Sequence, residues 1–147
     1  MAKDTKKTGV FSDFEMEAMR NRAKELKAEE KANKNRAEGE RILQQAIEAM
    51  TASEQVLARK VHEIVTKIAP ELFPKTWYGM PAYANKDGKV VCFFQAGKKY
   101  ESRYSTLGFT DKANLDSGNM WAASFAFEKI TPAEEQKIEE LVRKAVS

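Results

Sequence analysis

The stretch Thr76-Trp77-Tyr78-Gly79-Met80-Pro81-Ala82-Tyr83, followed by the run from Lys89 to Phe94, constrains the fold more than any other part of the chain. Aromatic and β-branched side chains alternate there with glycine and proline, a strand signature rather than a helical one. Asn85-Lys86-Asp87-Gly88 supplies turn chemistry between the two runs, predicting a hairpin seated in a core. In the second run Val90, Cys92 and Phe94 alternate with Val91 and Phe93, so both faces of that strand are expected to be covered. Pro81 lacks a backbone donor, which argues against a central position for the first strand. Two further strands are predicted near Tyr100–Gly108 and Trp121–Glu128, completing a sheet of about four antiparallel strands over Thr76–Glu128. A short helix and a turn fit Thr110–Asn119 between them.

Before the sheet the pattern is helical. Ser12 and Glu15 have capping-box spacing, with Phe11 and Met16 placed as a hydrophobic staple. Met19, Ala23 and Leu26 continue a thin apolar stripe, but Lys27–Glu38 is almost entirely charged, polar or alanine and has little to bury. Gly39 is expected to break the pattern. The chain therefore divides into a charged helical extension, 1–39, and a domain, 40–147. The domain opens with a short helix carrying Ile42, Leu43, Ala46, Ile47 and Met50. A capping box at Thr51 and Glu54 starts a longer helix with Val56, Leu57, Val61, Ile64, Val65 and Ile68 on one face, and Pro70 and Pro74 stop it. A third box, Thr131 with Glu134 and with Pro132 at the first helical position, starts a closing helix predicted to pack on the sheet. Helices, then an antiparallel sheet, then a helix make an α+β layout.

Composition narrows the function classes. A net charge of +3 with interleaved acids falls short of a nucleic-acid footprint, so nucleic acid is a disfavoured partner. No apolar run is long enough for a membrane span, and no export signal follows the basic start of the chain. The single cysteine, Cys92, sits among apolar neighbours and suits a reducing, cytoplasmic setting. His62 is the only histidine and reads as a boundary residue of its helix rather than a catalyst. No metal-binding, nucleotide-binding or nucleophile motif appears, so no catalytic residues are assigned. Two candidate sites remain. Trp77, Tyr78, Met80, Tyr83, Arg103 and Trp121 would form an aromatic ligand pocket if they converge, a well-satisfied core being the alternative use. Asp111 with Asp116, and Glu135 with Glu139, are candidate oxygen ligands for a metal, against ordinary surface charge.

In Trp77–Tyr83, the strand Gly88–Phe94, the step Leu107-Gly108-Phe109, and Leu115-Asp116 leading to Ser124-Phe125, the chain resembles the YdhG-like family of small bacterial intracellular proteins. The resemblance runs from about Ile42 to the C-terminus and implies helices against an antiparallel sheet. Some relatives are described as frataxin-like iron chaperones, so it also implies a non-enzymatic protein that binds iron and delivers it to an iron-receiving protein. No residue motif for that activity carries over. The rival expectations are a small-molecule or peptide module using the aromatic pocket, and an interaction module acting through the charged N-terminal helix.

Overall fold

The computed structural model describes residues 12–147; the basic tail and Phe11 of the expected staple lie outside them. The described chain forms helix α1 (Asp13–Glu48), helix α2 (Ala52–Ile68), strands β1 (Phe73–Trp77), β2 (Met80–Ala84) and β3 (Val90–Gln95), a 3-10 turn (Lys98–Tyr100), strands β4 (Ser105–Phe109) and β5 (Ser124–Phe127), and helix α3 (Pro132–Ala145). The α+β class therefore holds, with five strands in antiparallel order β1-β2-β3-β4-β5 rather than about four. The chain divides into two compact units, Met1–Ala37 and Glu38–Ser147.

In the first unit the Ser12–Glu15 capping box is made, each backbone amide bonding the other residue's side chain at 2.8 and 3.1 Å. Phe14, Met16, Met19 and Leu26 are exposed.

The second unit begins with the last turns of α1. Gly39 does not break the helix. A Cβ there would lie 2.0 Å from the Pro74 carbonyl oxygen, so glycine serves to let the helix backbone approach the start of β1. Beyond it Leu43 and Ile47 are fully buried.

The stretch Thr76–Tyr83, expected as one strand, is itself a hairpin. Trp77 pairs with Met80 across a two-residue turn in which Tyr78 and Gly79 both have positive φ, 52° and 77°. Two left-handed residues give the turn a twist that matches its strands. Pro81 consequently sits in β2, an interior strand, contrary to the expectation for it. The paired ladder with β3 starts one residue later, at Ala82 with Phe93, so the missing proline donor breaks no pairing there. The second turn forms as expected, with Asn85 Oδ1 accepting from the amides of Asp87 and Lys89 at 3.0 Å each. Tyr100 lies in the 3-10 turn instead of a strand, and Thr110–Asn119 contains turns but no helix.

Strand register separates the sheet's two faces. Tyr83, Cys92, Phe94, Leu107 and Phe109 lie on the face that meets Leu43 and Ile47 of α1, Val61, Ile64 and Val65 of α2, and Ile138 and Val142 of α3. That is the core. On the opposite face the Trp77 ring packs tilted against Phe93, centroids 5.1 Å apart, and the Phe93 ring lies where a side chain on Gly108 would be. Both faces of β3 are thus covered, as its sequence predicts.

Candidate functional site

The hairpin tip, the start of α2 and the 3-10 turn enclose a cleft of about 530 Å³. Its apolar floor comes from Ala46, Ala49 and Met50 on one side and Pro81, Phe94 and Ala96 on the other. The local causes are plain. Three strands end near one point because the Tyr78-Gly79 turn is tight, and small residues on α1 and at Ala96 leave space that larger ones would fill.

The rim is polar and built around Glu54. Its Oε2 accepts the Lys98 backbone amide at 2.7 Å, and its Oε1 accepts the Thr51 amide at 3.3 Å, tying the 3-10 turn to the start of α2. Slight burial works to raise the Glu54 pKa, but the hydrogen bonds from Lys98 and Thr51 together with the Lys98 charge hold it below the ordinary carboxylate value. Lys98 and Lys99 line the same rim, and the Lys99 ammonium lies beside Gly79 and 5.6 Å from the Tyr100 ring centre. The Tyr100 hydroxyl donates to the Tyr78 carbonyl at 2.8 Å, which fastens the turn to the hairpin tip. Both Glu54 oxygens are engaged, whereas the two ammonium groups make no salt bridge among the described residues. The cleft therefore offers an apolar floor and a cationic edge.

Replacing Glu54 with alanine removes a capping box and a long-range hydrogen bond, for an expected loss of about 1–2 kcal/mol in chemical denaturation. Because the folded-state pKa is depressed, this contribution is present above the ordinary value of 4.5 and is lost as pH falls through the lowered folded value. The variant should accordingly lose less stability on acidification than the parent. Equal acid sensitivity would refute the role given to this carboxylate.

A second polar feature lies within the core wall. His62 bonds the Tyr83 hydroxyl through Nδ1 at 2.9 Å and Glu40 through Nε2 at 2.8 Å, while Gln44 donates to the same Glu40 oxygen at 2.8 Å. This chain runs from a partly exposed carboxylate to a buried phenol, whose pKa is pushed well up by burial, then by the neighbouring Cys92 and Glu40. Cys92 faces Tyr83 across the β2–β3 ladder, and burial pushes its thiol up to about 12. The thiolate is the reactive form, so Cys92 should resist alkylation in the native state at pH 8 and react once the chain is unfolded. Rapid native labelling would contradict this placement.

The six residues predicted to wall a pocket are distributed over several places. Met80 borders the cleft at the hairpin tip; Trp77, paired with it, lies against Phe93; Tyr78 is the exposed tip itself. Tyr83 is buried against His62, the Arg103 guanidinium lies 5.1 Å from the Tyr104 ring, and Trp121 sits partly exposed ahead of β5. Of the proposed oxygen ligands, Glu135 lies 3.5 Å from Lys60 and Glu139 3.5 Å from Lys67. Asp111 and Asp116 are exposed in the β4–β5 connection, and no group of three potential ligands gathers among the described residues. Glu54 went unread as part of a site because it lies 44 residues from Lys98 and its local spacing already accounts for it as a cap. No family model, curated protein or solved structure matches this chain.

Proposed function

We propose that the chain is a non-enzymatic, cytoplasmic binding protein whose cleft holds a small ligand with an apolar body and an anionic end. The observation that carries this reading is the juxtaposition of an apolar floor with Lys98 and Lys99 at the rim, where the single carboxylate, Glu54, is already committed to backbone amides. Ligand sites generally combine such a floor with a few placed polar groups. Among the described residues no helix is long and apolar enough to cross a membrane. Iron carriage, the role implied by the family resemblance, finds no gathered set of ligands among the described residues to support it.

Hexanoate tests the reading, with hexylamine as the charge control. For so small a ligand the expected affinity is millimolar, about 4 kcal/mol. Replacing Lys98 and Lys99 together by glutamate should weaken hexanoate at least about tenfold, roughly 1.4 kcal/mol. Hexylamine binding as well as hexanoate would overturn the anionic assignment.

A further inference from the structure

Among the described residues strand β5 ends the sheet with no strand beyond it, whereas the opposite outer strand, β1, has α1 against it at Pro74. The Phe109 amide donates to the Ala123 carbonyl at 2.8 Å, which sets the alternation: Phe125 and Phe127 bond toward β4, and the backbone groups of Ser124 and Ala126 point outward. This edge is short, four residues, but its backbone groups are open to pairing. It has no lysine, proline or bulge, and its outward residues are small. Beside it, β5 and α3 bound a groove of about 620 Å³ with Phe127, Ile138 and Leu141 in its walls. Met120 and Trp121, 89% and 41% exposed, lie in the segment leading into the strand.

We propose that two copies of this chain pair antiparallel along β5 about a twofold axis, continuing the sheet from one copy into the other and setting their α3 helices side by side. The charges bordering the groove favour a second copy over a foreign peptide. Along α3 they read Glu134, Lys137, Glu140, Lys144, which is acid, base, acid, base. Reversed by a twofold axis, the same series reads base, acid, base, acid, so each carboxylate faces an ammonium of the other copy. Neither Lys137 nor Glu140 makes a salt bridge among the described residues, leaving both available for that exchange. The apolar groove walls close over each other in the same arrangement.

Sedimentation velocity on the full chain at roughly 100 μM, above the dissociation constant of a weak micromolar interface, reads the outcome. The parent is expected to sediment as a dimer. Lys137→Glu places like charges opposite each other and should weaken dimerisation at least about tenfold, while Lys137→Glu combined with Glu140→Lys restores the opposite-charge pairing across the axis and the dimer. Ala126→Pro removes an outward amide without touching the β4 ladder, and should give a folded monomer with an unchanged circular dichroism spectrum. A monomeric parent overturns the proposal. So does a dimer that tolerates both Lys137→Glu and Ala126→Pro, or a double charge swap that fails to rescue.

Discussion

Replacing Gly39 with alanine should destabilise the protein by about 2–3 kcal/mol, against the direction that helix propensity dictates. In an exposed helix interior the same change stabilises by roughly 1 kcal/mol. Here the new Cβ would stand 2.0 Å from the Pro74 carbonyl oxygen, and backbone on both sides must separate to admit it. The first structure to give way is the seating of α1 against β1, which carries Leu43 and Ile47 into the core. Urea denaturation of the two proteins measures the difference. A neutral or stabilising alanine would mean that the helix does not approach Pro74.

Tyr83 is expected to be the most costly single side chain to truncate, because it combines core packing with a buried hydrogen bond. It is 1% exposed and belongs to the cluster formed with Cys92, Phe94 and the helices. Tyr83→Ala should cost about 3–5 kcal/mol, enough to unfold a marginally stable domain. Tyr83→Phe keeps the ring and removes the bond to His62 Nδ1, for an expected loss of about 1–2 kcal/mol. Much of that loss should vanish when His62 is already leucine, since the variant histidine no longer leaves a partner behind. Additive losses in this double-mutant cycle would show that the pair is not coupled.

What the sequence revealed was local. All three capping boxes form where their spacing puts them, at Ser12, Thr51 and Thr131. The stripe of α2 buries Leu57, Val61, Ile64 and Val65, although Val56, assigned to the same face, is 69% exposed. The Asn85–Gly88 turn was legible because asparagine satisfies amides two and four residues on. The misses share a different cause. Gly39 read as a helix breaker since its reason for being glycine, the Pro74 carbonyl, is 35 positions away in sequence. Tyr78-Gly79 hid a turn because aromatic neighbours favour a strand, and only the pairing of Trp77 with Met80 shows that the chain reverses. His62 looked like an isolated boundary residue; its partners, Tyr83 and Glu40, are 21 and 22 positions distant. The candidate site shows the same limit, with Met80 recognised on local grounds and Glu54 and Lys98 joined only by the fold.

If the cleft between the hairpin tip, α2 and the 3-10 turn is the ligand site, methyl-resolved NMR during a hexanoate titration will show it. Saturable shifts are expected at the methyl groups of Ala46, Ala49, Met50 and Ala96, which line the cleft, with none at Ile138 or Leu141 on α3. Shifts that fail to saturate, or that appear beside α3 and leave the cleft methyls unmoved, would contradict the account.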